Sequence, residues 1–209
     1  LITLSATGAP LSLLQPQATF VTIAQDTGLF TWATTCELVR LQPYQVLFKA
    51  IDNDPDVQLV DLESMFITIV APAPTGLAAT AQCNAVTLTW NAATCNPTGN
   101  GVLGYDIYMD DTCNAWTPGP CETGVPSYTG YQFMGTVSGI NNTTFTVNNL
   151  AHGVNYSFRV VTRHADGARS YASAGFCVTL KQDVPILTHV DVITTSTSGE
   201  ATICSRQSS

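Results

Sequence analysis

Apolar residues recur at every second position through much of the chain. Phe145 and Val147 alternate with threonines, and Val154, Tyr156, Phe158 and Val160 alternate with mostly polar neighbours. That period of two predicts half-buried β-strands, because successive side chains of a strand point to opposite faces. Between the two runs, Leu150 to Tyr156 reads as a corner, with a tyrosine opening a strand directly after a turn. Such a tyrosine is expected to bury its ring and bond its hydroxyl back to the preceding loop. Ala165-Asp-Gly167 then predicts a hairpin turn into a strand over Tyr171 to Leu180.

The same reading extends to the first 70 residues. Strands are predicted at Leu1 to Ala6, Ala18 to Ile23, Leu29 to Trp32, Tyr44 to Ile51 and Ser64 to Val70. Turns are predicted at Gly8-Ala-Pro10, Asp26-Thr-Gly28 and Asp52 to Asp56. Val46, Phe48 and Ala50 share one face of their strand, as do Met65, Ile67 and Ile69. Ala71-Pro-Ala-Pro74 reads as a short, semi-extended linker. Beyond it, Val86, Leu88 and Trp90 alternate inward, and Gly104 to Tyr108 forms a further strand. A long insertion runs from Met109 to Tyr131. The expected fold class is all-β, with tandem immunoglobulin-like β-sandwiches over 1–71 and 72–181. Residues 182–209 are read as the start of a further repeat or a tail.

Several motifs resemble known families. Pro74-Thr-Gly-Leu77, the alternating Val86, Leu88 and Trp90, and Gly104-Tyr105-Asp-Ile107-Tyr, with Phe145, Leu150, Tyr156 and Phe158, resemble a fibronectin type III domain over about 74–181. The first unit has a threonine-glycine turn into a strand and then a Tyr44-x-Val-x-Phe-x-Ala-x-Asp52 strand. It resembles a cadherin-like or related immunoglobulin-like repeat that lacks its beginning. Both units, the proline linker and the run Lys181-Gln-Asp-Val-Pro185 together resemble gliding-motility-associated surface proteins of Bacteroidetes. The resemblance implies a fragment of a larger exported or cell-surface protein, with other repeats of the same parent chain as neighbours.

Composition narrows the function classes. The 209 residues carry a net charge of −8 with seven Lys and Arg, too few for a phosphate-binding patch, so nucleic acid is not an expected partner. No run approaches a membrane span, so membrane insertion is not expected either. Seven cysteines without a CxxC pair read as disulfides of an oxidising compartment rather than a zinc site. Cys113 and Cys121, with seven residues between them in the insertion, are expected to pair. Cys83 with Cys177 is a further possibility, whereas Cys83 and Cys95 are separated by a strand and should not pair. The pairing of Cys36, Cys83, Cys95, Cys177 and Cys204 stays open in the sequence, and either Cys36 or Cys204 could have its partner beyond the chain.

Two sets of residues could carry recognition. Asp52, Asp54 and Asp56, with Asp61 and Glu63 nearby, could supply oxygen ligands to calcium, the one cofactor considered. The cadherin resemblance supports that reading, while the Ala-Pro-Ala-Pro linker departs from the acidic ligands expected there. The bland alternative is a solvated turn. Trp116, Tyr128 and Tyr131 could stack on a polysaccharide or anchor a surface protein, or else form the insertion's own small core. No nucleophile, zinc or paired-carboxylate motif points to catalysis. The expectation is a non-catalytic structural or adhesion module, extracellular or at the cell surface. A carbohydrate-binding accessory module of an exported enzyme is the alternative.

Overall fold

The computed structural model describes residues 2–120 and 122–181; Cys121 and the stretch read as a further repeat, with Cys204, lie outside the described residues. The fold is all-β with antiparallel sheets. The chain packs as two compact units. Of the described residues, unit 1 comprises 2–72 with two later segments, Thr94–Leu103 and Arg163–Ser170, and unit 2 comprises Ala73–Ala93, those within 104–162, and 171–181.

In unit 1, β1 (Ile2–Thr7), β4 (Tyr44–Asp52) and β5 (Val60–Ile67) form one sheet in the order β1-β4-β5. β2 (Thr19–Ala24) and β3 (Thr27–Thr31) form a separate hairpin. Tyr44 and Val46 are buried, and the Tyr44 hydroxyl donates to Leu38 O at 2.8 Å. Trp32 meets the Tyr44 ring edge-on at 5.1 Å. Two elements depart from the sequence reading. The hairpin turns at Gln25-Asp26, which leaves Gly28 inside β3. The Phe20 ring lies over Gly28, where a Cβ would meet it at 2.2 Å. β5 begins four residues earlier than expected. Asp52 closes the preceding loop from both ends, its N–H donating to Leu59 O at 3.1 Å and its Oδ1 accepting from Leu59 N–H at 2.8 Å. Pairing with β4 therefore starts at Val60, opposite Ile51.

Unit 1 also holds a small cluster of Val39, Ala71, Cys95 and Ala168, with Cys36 and Ile69 packed against it. The Cys36–Cys95 disulfide lies there, with a Cα–Cα distance of 5.5 Å. Cys36 therefore has its partner within the chain. No sequence spacing signals this pair, because the two cysteines are 59 residues apart. Around it, Glu37 Oε2 accepts from Thr98 N–H at 2.9 Å, and Asn100 Nδ2 donates to Val39 O at 3.0 Å. The predicted turn at Ala165 to Gly167 is present, with Gly167 at a left-handed φ of 93° and its N–H donating to His164 O.

Unit 2 is a sandwich. One sheet has the order β10-β7-β6, from β6 (Ala78–Gln82), β7 (Ala85–Thr89) and β10 (Thr144–Val147). The other has the order β12-β11-β8-β9, from β8 (Val102–Asp110), β9 (Gln132–Ser138), β11 (Asn155–His164) and β12 (Phe176–Thr179). The core between them contains Val86, Leu88, Trp90, Tyr105, Ile107, Val147, Tyr156, Phe158 and Val160. Burying one such side chain fully contributes roughly 1.5–3 kcal/mol. Trp90 packs edge-on against Tyr105 at 5.3 Å. The Tyr156 hydroxyl accepts from Ala151 N–H at 2.9 Å, the bond expected of a corner tyrosine. Gly104 is held where a Cβ would meet Val137 O of the neighbouring strand at 1.9 Å, so a side chain there would push β9 away.

Candidate functional site

The strongest concentration of polar chemistry lies where the insertion folds back on β11. Alternation predicts that one face of β11 is solvated, yet Ser157, Arg159 and Val161 are as buried as Phe158 and Val160. The insertion supplies the cover. Trp116 and Val125 pack against a second cluster of Tyr108, Tyr131, Val161 and Ala172. Arg159 is only 3% exposed. Its guanidinium lies 4.9 Å from the Trp116 ring centre and 5.5 Å from that of Tyr131. Nη1 donates to Ser173 O at 2.6 Å, Nε to the Tyr131 hydroxyl at 3.3 Å, and Nη2 to Trp116 O. A buried cation is thus held by three acceptors and two ring faces.

The start of the insertion is fixed by Asp110. Its Oδ1 accepts from the Thr112 N–H and hydroxyl at 2.8 and 2.7 Å, and its Oδ2 from Asn114 Nδ2 at 2.7 Å. Burial would raise this carboxyl, but the hydrogen bonds from Asn114 and Thr112 outweigh it and hold it below the usual carboxylate range. Asn114 N–H then reaches Ser157 Oγ at 3.4 Å. Ser157 is the register partner of Cys177 on β12. One residue before Asn114, Cys113 therefore arrives over β12 and bonds to Cys177, with a Cα–Cα distance of 5.4 Å. The expected Cys113–Cys121 bridge does not form, because the insertion crosses β11 to a neighbouring strand before it can close on itself. The same bond removes Cys83 with Cys177; Cys83 is disulfide-bonded as well.

Residues 72–175 carry a fibronectin type III domain. That span matches the family model described as "Fibronectin type III domain". Two segments inside it, Thr94–Leu103 and Arg163–Ser170, pack in unit 1. Among solved structures, the chain is similar to an Fn3-like protein from Clostridium thermocellum, with 26% identity and a TM-score of 0.36, over 55% of this chain and 98% of that one. It is also similar to titin domains A168–A170, with 15% identity and a TM-score of 0.41, over 87% of this chain and 55% of that one. A two-domain type III segment of chicken tenascin shows 14% identity and a TM-score of 0.36, over 66% of this chain and 65% of that one. No curated protein matches the chain.

The three aromatic residues singled out in the sequence part company in the type III domain. Tyr131 is buried, accepting from Ser157 Oγ at 3.0 Å and donating to Asn114 O at 3.3 Å. Trp116 is half-buried against Arg159, with its ring centre 6.3 Å from that of Tyr131. Tyr128 alone is open, at 69% exposure, and its hydroxyl donates to Glu122 Oε1. The bond is charge-assisted: backbone donation from Gly119 and then the Tyr128 hydroxyl hold the Glu122 carboxyl low, while Glu122 holds the Tyr128 hydroxyl high. No flat aromatic platform results from the three.

The acidic loop resolves similarly. Asp54 Oδ1 accepts from Asp56 N–H at 2.9 Å and Val57 N–H at 3.1 Å, and these bonds hold its carboxyl below the usual range. Asp52 is occupied in closing the same loop, and Asp61 and Glu63 belong to β5. Among the described residues, no three His, Cys, Asp or Glu side chains converge as a metal site would require. Arg159 is the residue that sequence reasoning missed. Its signal was an arginine set between Phe158 and Val160 in an apolar-alternating run, which reads as a solvent-facing position until the covering insertion is known.

Proposed function

We propose that the chain is a non-catalytic structural or adhesion module of a secreted or cell-surface protein. The disulfides carry the reading: Cys36–Cys95 joins the 3-10 turn at Cys36–Leu38 to the loop between β7 and β8, and Cys113–Cys177 ties the insertion to β12. Such bonds persist in oxidising compartments and are rare where glutathione keeps thiols reduced. The type III domain supports a mechanical or display role, since its most elaborate polar cluster is spent on holding the insertion down. The resemblance of the first unit to cadherin-like repeats, and of the whole arrangement to gliding-motility-associated surface proteins, supports other repeats of the same parent chain as its neighbours. No helix among the described residues is long and apolar enough to cross a membrane.

The test is labelling of intact cells that make the parent protein, with a membrane-impermeant amine reagent directed at Lys49 and Lys181. The expected outcome is modification of this chain without lysis. Labelling only after lysis removes the surface reading.

A further inference from the structure

We infer that unit 1 is an acceptor for an extended basic strand of another polypeptide, added along β5. β5 is eight residues long and, among the described residues, lies at the edge of its sheet, paired on one side to β4. Every residue from Val60 to Phe66 is exposed, with Val60 at 53%, Leu62 at 54% and Phe66 at 66%. Beside this edge runs a cleft of about 480 Å³, lined by Phe20, Phe30 and Phe48 together with Asp61, Glu63 and Met65. The three rings pack on one another, with centroids 5.6 Å apart for Phe20–Phe48 and 6.0 Å for Phe30–Phe48.

The sheet register separates the two faces of β5. Asp61 is opposite Ala50, Glu63 opposite Phe48 and Met65 opposite Val46. The two carboxylates therefore stand on the face that carries the aromatic cleft. Val60, Leu62 and Phe66 stand on the other face. A strand edge of this length that no described strand covers is a template for main-chain pairing, and alternating side chains then set which strand it takes. Lysines or arginines at alternate positions of an incoming strand would reach Asp61 and Glu63 and lay their aliphatic stems over the phenylalanine rings. Apolar residues at the intervening positions would cover Val60, Leu62 and Phe66. The carboxylates also decide against the simplest competitor. Two copies of β5 brought edge to edge would bring like charges together, in a chain whose net charge is already −8.

The probe is a synthetic peptide of eight alternating lysine and valine residues, compared with its glutamate–valine counterpart, each titrated into the full chain at about 50 mM salt, where charge pairs are weakly screened. The lysine–valine peptide should bind roughly two- to thirtyfold more tightly, the range expected of two exposed pairs. Binding should slow amide hydrogen exchange within 60–67. The double variant Asp61→Lys, Glu63→Lys should invert the preference, and that gain of glutamate–valine binding shows the variant to be folded. Equal binding of both peptides, no binding of either, tight lysine–valine binding without protection of 60–67, or a dimer formed through β5 at the same concentration would each overturn the inference.

Discussion

At the scale of single residues, Arg159 decides more than any other side chain. Its sequence neighbours Phe158 and Val160 face the core, so alternation assigns it to water, and the structure buries it. Removing its guanidinium would leave the buried acceptors Ser173 O and Trp116 O without that donor and open a gap beside Trp116 and Tyr131. Arg159→Ala is expected to cost about 3 kcal/mol, and Arg159→Lys a substantial part of that, because an ammonium cannot match a planar fork against Ser173 O, Tyr131 and Trp116 O. Denaturant unfolding followed by tryptophan fluorescence measures both; a lysine variant as stable as the parent would remove the geometric argument. Asp110 gives a prediction in pH. Its native carboxyl stays ionised to lower pH than the unfolded one, so its contribution is complete above the ordinary carboxylate value of about 3.9 and is lost as pH falls through the lower native value. Asp110→Asn should flatten the fall in unfolding midpoint below about pH 4. Parallel acid limbs in the parent and the variant would count against it.

At the scale of elements, the strands most legible were those with alternate residues in a core. Tyr44 and Val46, Val86 and Leu88, and Tyr156, Phe158 and Val160 are buried as their alternation implies. The corner tyrosine was legible too, since its bond to Ala151 is local, spanning five residues. Boundaries were less so. β5 starts at Val60 because Asp52 and Leu59 close the loop between them, and nothing in the local composition marks that bond. The acidic loop shows the same limit. Five carboxylates close together in sequence suggest a cation site, but Asp52 and Asp54 cap their own turn and β5 carries Asp61 and Glu63 onto a sheet face.

At the scale of the whole molecule, long-range cross-links matter more than any local motif. Cys36–Cys95 and Cys113–Cys177 close segments of 59 and 64 residues. In the chain-entropy picture a loop of that size stabilises the native state by about 4 kcal/mol. Domains have net stabilities of about 5–15 kcal/mol, so reduction is expected to leave the protein marginal. Denaturant unfolding with and without reductant measures the difference, and coincident midpoints would show that these bonds do little for the folded state. Exported proteins keep such bonds, which connects this prediction to the labelling of intact cells.

The sequence by itself determined the strand-rich class, the type III domain with its corner tyrosine and core tryptophan, and the oxidised state suggested by its cysteines. Those features rest on alternation and on contacts between near neighbours, which a linear pattern records. Tertiary structure alone decided which cysteines pair, which aromatic rings are buried, and that Arg159 faces an insertion instead of water. Each of these depends on what a loop meets after crossing a neighbouring strand. Cys113 and Cys177 come together because Asn114 reaches Ser157, a contact across 43 residues that leaves no periodic trace in the chain.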